Sequence, residues 1–541
     1  MYKIAGFLIA ALVTVAACGA DSDRAAISVD SERIVGDAPT IPTDPELPVD
    51  VDDEIEEDTG QAPQQSGSTP RTTTPPTTEG ASRGDATEST ADAGATTLND
   101  PYVGDFGNGG YDVESYDLEI EWDPDSTRLD GAATIVAIAT QELSAFNLEL
   151  TGFDVSSVEI DGEPATFVRD DDELMIVPRS EPIPNGETFT TVIEYAGTPV
   201  DNEFIAGEVG RPSGWHTRDG FVFVAGEPLS ASTFHPANDH PSDKASFTYR
   251  ITAPSDLTVA ANGTLEDTTT VTDDVAGNRT TWTFVQPDPQ ATYLTTLVIG
   301  DFTVIDDGTS DSGVPVRNVI DTELVDELGP IFDAQPEMID AFEELFGPYP
   351  FEVYGSVVVN DSFGGALETQ TLSIFGTDVV GFGDGQAIVA HELAHQWFGN
   401  SVSVERWEDI WLNEGFASYG EALWSEASDP DFSYDRWIRR LLRAGPALER
   451  HVQDPGPGEL FSPQVYLRGA FTLHALRVRV GDEVFFDILQ TWNERFGGAN
   501  ASTDDFQSLS EELSGEELDE FFDEWLRTEA LPDELDGVPL I

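Results

Sequence analysis

The spacing of apolar residues changes character near residue 313. Between residues 111 and 312, short runs alternate between apolar and polar positions, as in Tyr-Asp-Leu-Glu-Ile-Glu-Trp over residues 116–122. Turn-forming pairs such as Asp161-Gly162 and Asn185-Gly186 separate these runs. Alternation with a period of two is typical of strands with one buried face, so this half of the chain predicts a β-rich, sandwich-like domain.

The second half of the chain has longer apolar periods. Residues 325–346 follow helical periodicity, whereas residues 353–359 form a nearly continuous apolar run that predicts a buried strand. Helical patterns dominate after residue 384 and include residues 484–496 and 518–526. The mixture predicts an α+β fold in which a β domain precedes a mainly α domain.

The patterns and the flanking composition divide the chain into four parts. The predicted parts are an export signal over residues 1–18, a tether over residues 19–100, a β domain over residues 101–312 and a mainly α domain over residues 313–541. The tether is rich in Asp, Glu, Pro, Thr, Ser and Gly. It has too little apolar surface to offset the entropy of ordering, so we expect it to be disordered.

The first residues have the pattern of a secretion signal. Lys3 supplies a short positive region, and residues 4–17 supply an apolar run that is short for a membrane span. The run ends at Cys18, the only cysteine of the protein. This arrangement resembles a bacterial lipoprotein signal, in which cleavage before the cysteine leaves it carrying a lipid. The alternative is an ordinary signal peptide that happens to contain a cysteine.

The charge balance narrows the classes of partner. The chain has 25 basic and 103 acidic residues, which gives a formal net charge of −78. This balance argues against nucleic-acid binding, because contacts to phosphates need a basic surface. Anionic lipid surfaces would also repel the protein, so attachment to a membrane would depend on the lipid on Cys18.

The chemistry is concentrated in the run Val-Ala-His-Glu-Leu-Ala-His over residues 389–395. On a helix, His391 and His395 lie one turn apart on the same face. This is the His-Glu-x-x-His pattern, in which two imidazoles bind Zn²⁺ and the glutamate, here Glu392, acts as general base. After eighteen further residues comes Glu414, a candidate third ligand. Three protein ligands leave one position open, as in catalytic zinc sites, and we expect one zinc per chain.

The sequence also offers groups that would surround the ligands. Between the predicted buried strand and the zinc motif, the glycines of Gly364-Gly365 allow close backbone approach, and an exposed edge strand there could pair with an extended peptide. Gly365 and Ala366 are therefore candidates for binding the substrate. Glu368 would then bind the free α-ammonium of a peptide, the alternative being a surface glutamate in a glycine turn. Asp409 and Asn413 are candidates for orienting a metal ligand by hydrogen bonds, with helix capping or solvent contact as the alternative.

These motifs together resemble the aminopeptidase N family of zinc peptidases, which includes the leukotriene hydrolases. The resemblance runs from about residue 111 to residue 531. It implies a thermolysin-like, mainly α catalytic domain after the β domain. Members often carry a further helical domain after the catalytic one, and we expect this chain to lack it and to have a more open cleft.

The resemblance also implies roles for further residues. The family's Gly-x-Met-Glu-Asn motif corresponds to residues 365–369, so Glu368 would hold the substrate amine. Leu367 and Thr369 stand where the family has Met and Asn. A second anchoring glutamate in the β domain corresponds to Glu227. The family's Tyr-x-Lys-Gly motif corresponds to residues 466–469, with Arg468 in place of Lys, so Tyr466 would stabilise the tetrahedral intermediate.

The sequence therefore predicts an exported, lipid-anchored zinc aminopeptidase at the cell surface, acting on peptides with a free N-terminus. Three alternatives stay open. The same zinc site would serve an endopeptidase or a hydrolase of non-peptide substrates, and an inactivated scaffold would serve as a surface binding lipoprotein.

Overall fold

The computed structural model describes most of the chain after the predicted tether. The described residues are 92–170, 172–178, 181–199, 213–229, 231–273, 277–380 and 385–540. The predicted signal, Cys18 and the tether up to residue 91 lie outside these ranges. No helix among the described residues is long and apolar enough to cross a membrane.

The β domain is built around an eight-stranded sheet. Its central strand, Tyr111–Asp123, alternates between buried and more exposed residues, as the sequence pattern predicts. This strand pairs antiparallel with Arg128–Ala139 and parallel with Ala245–Pro254. In spatial order the eight strands are Thr264–Asp273, Gly277–Gln290, Ala245–Pro254, Tyr111–Asp123, Arg128–Ala139, Thr188–Gly197, Asp154–Ile160 and Glu163–Pro164.

Two four-stranded sheets complete the β-rich half. One contains Asp92–Ala93, Leu143–Glu149, Glu173–Val177 and Thr166–Asp170. The other contains Gly214–Arg218, Phe221–Ala225, Leu297–Gly300 and Thr258–Ala261. Their apolar faces and that of the large sheet share one buried core, as expected for sheets that each have one apolar face.

A five-stranded sheet joins the β-rich half to the helical half. Its buried strand Tyr354–Val359 confirms the apolar run predicted over residues 353–359. In spatial order the strands are Phe302–Thr309, Pro315–Asp321, Tyr354–Val359, Ser373–Gly376 and Ala366–Leu367. The domain boundary placed at residue 312 stays a prediction, and it falls inside this sheet.

Helices dominate the rest of the described chain. The α-helices are Val325–Leu328, Gln335–Phe346, Thr377–Val380, Gly385–Ala394, Trp411–Ser428, Tyr434–Leu441, Gly469–Val480, Asp482–Phe496, Thr503–Ser514 and Asp519–Phe522. Two π-helices, Gln464–Arg468 and Asp523–Arg527, continue or precede them. The 3₁₀ segments are Ala231–Thr233, Thr292–Leu294, Gly329–Ile331, Trp407–Asp409 and Leu442–Leu448. Two short strand pairs, Ser403–Val404 with Asn500–Ala501 and Glu534–Leu535 with Val538–Pro539, lie among them. The predicted α+β fold is confirmed.

Two sequence expectations need correction. The helical period over residues 325–346 does not form one helix, because the 3₁₀ segment at Gly329-Pro330 interrupts it and proline has no N–H to continue the ladder. The tether ends before residue 92 rather than at residue 100. Asp100 is buried and accepts backbone hydrogen bonds from Tyr102 (2.9 Å) and Trp407 (3.1 Å), which fasten this stretch to the folded body.

Candidate active site

The zinc-motif helix presents two of the predicted ligands. The helix Gly385–Ala394 carries His391 and Glu392, and His395 follows it directly. The His395 N–H donates to the His391 carbonyl oxygen over 3.3 Å. The helical hydrogen bond thus continues past the assigned helix end and keeps both imidazoles on one face. Both histidines are almost fully buried.

The third predicted ligand comes from the helix Trp411–Ser428. Its Gly415 lies so close to Gly469 that a Cβ atom on Gly415 would be 2.9 Å from the Gly469 Cα. At Gly420 a Cβ atom would be 2.7 Å from the Ala394 Cβ. The absence of side chains at these points lets the helix approach both of its neighbours and brings the Glu414 carboxylate to the two imidazoles.

Hydrogen bonds determine which imidazole nitrogen faces the carboxylate. His395 Nδ1 is 3.1 Å from the Phe398 carbonyl oxygen, which can only accept, so Nδ1 carries the proton. His391 Nδ1 is 3.0 Å from Glu421 Oε1. A carboxylate oxygen also accepts, so the Nδ1 of His391 carries a proton as well. Each ring therefore turns its Nε2 toward Glu414, and in the neutral form that binds a metal this nitrogen carries no proton. Buttressing of a metal-binding histidine through its other nitrogen is a general feature of zinc sites.

The distances fit a tetrahedral metal. Glu414 Oε2 is 3.2 Å from His391 Nε2 and 3.5 Å from His395 Nε2. Ligand atoms that lie about 2.1 Å from zinc at tetrahedral corners are about 3.4 Å apart. Two neutral nitrogens and one carboxylate oxygen form a donor set that zinc prefers, so the residues fit the predicted ion.

The predicted general base lies beside the ligands. Ligand atoms of Glu368, Glu392 and His395 all lie within 4.8 Å of one another. Burial raises the pKa of the Glu392 carboxyl to about 7, whereas a cation bound next to it would lower that pKa. A carboxyl group balanced in this way can accept a proton and release it near neutral pH.

One carboxylate oxygen of Glu368 is buried without a hydrogen-bond donor in the part of the chain that the structure describes. The residue is 2 % exposed, and its Oε1 has no hydrogen-bond partner among the described residues. Burial raises the pKa of this carboxyl group. A buried carboxylate oxygen without a donor is costly, so the position favours a ligand that brings a cation or an N–H group.

The predicted substrate-binding residues line the same cavity as the metal ligands. Its volume is about 130 Å³, and it is lined by Glu227, Gly365, Ala366 and Glu368 together with the metal ligands, Glu392 and Tyr466. Ala366–Leu367 forms the edge strand of the five-stranded sheet and pairs antiparallel with Ser373–Gly376. A peptide could therefore add a strand at this edge, with its end near the carboxylates.

Tyr466 completes the ring of side chains. Its Oη donates to Glu414 Oε1 over 3.0 Å, and its ring stacks against His391 with centroids 6.1 Å apart. The π-helix that carries it ends at Arg468, which is fully buried and donates to seven backbone carbonyls of residues 448–450 and 524–530. The last part of the chain thereby fixes the segment that holds Tyr466.

Comparison with protein families identifies the two halves of the chain. Residues 112–294 match the Peptidase M1 N-terminal domain, and residues 331–525 match the Peptidase family M1 domain. The chain belongs to peptidase family M1. This assignment confirms the resemblance drawn from the motifs and the expected zinc cofactor.

Solved structures of M1 members match the whole described fold. The M1 zinc metallopeptidase from Deinococcus radiodurans is 31% identical, with a TM-score of 0.73, and the match covers 82% of this chain and 100% of that one. A mutant of that enzyme, 30% identical over 81% of this chain and 99% of that one with the same TM-score, has been solved bound to a Tyr-Ser-Ala substrate.

Several M1 relatives are longer. Aminopeptidase M1 of Arabidopsis thaliana is 26% identical over 73% of this chain and 47% of the relative. Aminopeptidase M1-B of rice (Oryza sativa subsp. japonica) is 28% identical over 77% of this chain and 50% of the relative. This M1 chain thus spans about half the length of these plant aminopeptidases.

Two residues proposed to orient ligands in this M1 site have other partners. Asp409 Oδ1 accepts from Gln453 Nε2 and Thr503 Oγ1, and the Asn413 side chain donates to Tyr293 Oη over 3.2 Å. The residue that does orient a ligand is Glu421, which the sequence interpretation missed. It follows Glu414 by seven residues, or two helical turns, and that spacing on one helix face was the available signal.

The contact between Glu421 and His391 yields a prediction. The variant Glu421→Gln loses the charged acceptor for His391 Nδ1 and should bind zinc about 10- to 100-fold more weakly. Competition between the purified protein and a graded series of chelators measures this affinity. Glu426→Gln, on the same helix but paired with Arg477, is the matched control. Equal zinc affinity in both variants would contradict the orienting role.

Proposed function

We propose that this protein is a zinc-dependent aminopeptidase that releases single N-terminal residues from peptides. The observation that carries the proposal is the Glu368 carboxylate, which has a buried oxygen without a donor in the same cavity as the metal ligands. A peptide's α-ammonium would supply the missing donor and the missing positive charge. The aminopeptidases among its relatives and the solved complex of an M1 enzyme with a tripeptide support this substrate class.

The residues divide the catalytic work. When held by His391, His395 and Glu414, a zinc ion supplies Lewis acidity to a water molecule and to the scissile carbonyl. Glu392 accepts the proton that the attacking water gives up and passes it to the leaving amine. The Tyr466 hydroxyl, which donates to Glu414 in the structure, would turn its hydrogen bond to the carbonyl oxygen as negative charge develops there.

The position of the amine anchor would decide where the peptide is cut. Glu368 and Glu227 line the same cavity and would bind the ammonium group together. Because this cation is held next to the metal ligands, the carbonyl group that lies at the metal site, where Glu392 activates the water, is that of the first residue. An anchored N-terminus thereby converts a general peptidase site into one that removes one residue at a time.

Glu392→Gln tests the chemistry. The amide cannot accept the proton of the attacking water, so turnover of an aminoacyl-coumarin substrate should fall by about 10⁴-fold or more while zinc content stays at one per chain. Metal analysis of the same preparation checks the second half of the expectation. Wild-type activity in this variant would exclude Glu392 as the base.

Blocked substrates test the specificity. We expect N-acetylated peptides to be cut at least about 100-fold more slowly than their free counterparts, because the acetyl group removes the charge that Glu368 and Glu227 bind. Matched peptide pairs, with products identified by mass spectrometry, give this ratio. Equal rates on both members of a pair would favour an endopeptidase, and inactivity on all peptides of a zinc-loaded protein would favour a non-peptide hydrolase or a binding role.

We also propose that the enzyme is exported and held at the cell surface by a lipid on Cys18. The apolar run before this cysteine and the long acidic, Pro- and Thr-rich segment after it support the proposal. The strong negative charge argues against nucleic-acid partners.

The anchor proposal has its own test. Cys18→Ser should remove the acceptor of the lipid, so the full-length protein should lose labelling by a fatty-acid probe and move from the membrane fraction to the soluble fraction. Ser22→Ala, a nearby change that keeps the cysteine, should leave both properties unchanged. Retention of the Cys18→Ser protein in the membrane fraction would contradict lipid anchoring.

A further inference from the structure

The residue assigned to the substrate amine lies on a segment without regular secondary structure. The edge strand ends at Leu367, the next strand begins at Ser373, and Glu368 lies in the irregular stretch between them. Backbone in a sheet is positioned by its ladder of hydrogen bonds, but Glu368 is outside that ladder. Other groups must therefore hold this backbone, since a displacement of about 1 Å is enough to disrupt a binding constellation.

Two side-chain amides hold the backbone of Glu368. Gln396 Nε2 donates to the Glu368 carbonyl oxygen over 3.0 Å, and Asn400 Nδ2 donates to the same oxygen over 2.7 Å. Both amide residues are fully buried. Because two buried side chains donate to this one carbonyl oxygen, the Glu368 backbone cannot move without losing a buried hydrogen bond.

Gln396 also fixes the far end of the irregular stretch. Its Oε1 accepts from the Thr371 N–H over 2.8 Å. Thr371 has a φ of 64°, a left-handed conformation that a β-branched residue rarely adopts. The strained turn therefore depends on partners such as this one to persist. One glutamine thus holds both the carbonyl of Glu368 and the amide three residues later.

The two amides belong to the same stretch of chain as the metal ligands. Gln396 directly follows His395, and Asn400 donates its N–H to the His395 carbonyl over 3.0 Å. The distance between the amine-binding carboxylate and the imidazoles is therefore determined within one short, buried unit. From the β domain, Lys244 Nζ donates to the backbone carbonyls of Asn400 and Ser401, over 2.9 Å each, and holds this unit in place.

We propose that Gln396 and Asn400 are positioning residues for N-terminus recognition. Neither residue is among those that line the active-site cavity. They set the reach of the Glu368 carboxylate and hence the preference for a free over a blocked amine. The inference rests on the proposed aminopeptidase function, since it assigns these amides to the specificity of that same site.

The experiment compares the free-to-acetylated ratio of kcat/KM across variants. Gln396→Leu and Asn400→Leu replace each amide by a side chain of similar size without donors, and Asn400→Ser is a milder change that keeps a short polar group. We expect the ratio to fall about tenfold or more in the leucine variants, through a higher KM for free substrates, with acetylated substrates unaffected. The ratio measured for Asn400→Ser should lie between those of the leucine variants and the wild type.

A direct binding measurement removes the dependence on turnover. In the Glu392→Gln background, calorimetry with leucinamide and N-acetylleucinamide should show weaker binding of the free amine alone when Gln396 or Asn400 is replaced. Zinc content measured on the same samples should stay at one per chain. A general loss of structure would weaken both ligands and lower the zinc content together.

Gln335→Leu is the matched structural control. Gln335 is also fully buried, donates to Ser356 Oγ over 2.7 Å and accepts from Asn318 over 2.8 Å. Neither of these hydrogen bonds reaches the Glu368 segment, and Gln335 is not among the residues that line the active-site cavity. Its replacement should lower the thermal midpoint as the other leucine variants do, yet it should keep the wild-type ratio of free to acetylated substrates.

Glu368→Gln separates failure of this inference from failure of the proposed function. If the wild type itself cuts free and acetylated substrates equally, the aminopeptidase proposal fails. If the wild type discriminates and Glu368→Gln loses that discrimination, while folded Gln396 and Asn400 variants keep it, the positioning role is overturned. Where a leucine variant does not fold, an unchanged ratio in Asn400→Ser has the same meaning.

Discussion

The active site depends on how closely three helical segments approach one another. Gly415 meets Gly469 and Gly420 meets Ala394, so the helix that carries Glu414 packs against its neighbours with almost no side chain between them. Glu414 is adjacent to one of these contacts, and Tyr466 lies three residues before Gly469. A larger residue at either glycine would push the helices apart by more than the few tenths of an ångström that metal coordination tolerates. The donor set is thus a consequence of backbone packing as much as of the ligand residues themselves.

Charge is the second constraint on this site. Five glutamates, namely Glu227, Glu368, Glu392, Glu414 and Glu421, line the cavity around two histidines. Carboxylates removed from water need cations or donors, and the two groups best suited to supply them are a divalent metal and a substrate ammonium. The Nδ1 contacts of both histidines leave their Nε2 atoms facing Glu414, so each imidazole can serve as a ligand while Glu421 accepts from the other nitrogen of His391. The cavity is therefore complementary to one metal and one amine at the same time.

The catalytic residues could be predicted from the sequence more fully than the contacts that hold them in place. The His-Glu-x-x-His spacing and Glu414 follow from helix geometry, and the period-two pattern of residues 116–122 from strand geometry. What failed depends on contacts between distant segments. The ordering of residues 92–100 requires Trp407, far along the chain, to meet Asp100. Glu421 orients His391 only because two helices pack together.

Thr369 shows why a motif difference can be read correctly only in three dimensions. In the family motif this position is asparagine, and its replacement suggests a weaker hold on substrate. Thr369 is fully buried, however, and its hydroxyl donates to the Leu372 carbonyl inside the irregular stretch. Its side chain therefore stabilises the turn that follows Glu368. The loss of an asparagine here changes how the segment is built, whereas Glu368, the proposed amine anchor, still lines the cavity.

The β domain takes part in the site through the same stretch. Asn262 donates to the carbonyls of Gln370 and Leu294, over 2.6 and 3.0 Å, and the Gly263 N–H donates to Thr371 Oγ1 over 2.7 Å. These bonds tie residues 370 and 371 to the β domain. The catalytic half thus supplies the predicted metal ligands and base, while the stretch that follows Glu368 is held by both halves. A catalytic half separated from the β domain would keep its zinc-binding motif but lose these bonds to residues 370 and 371.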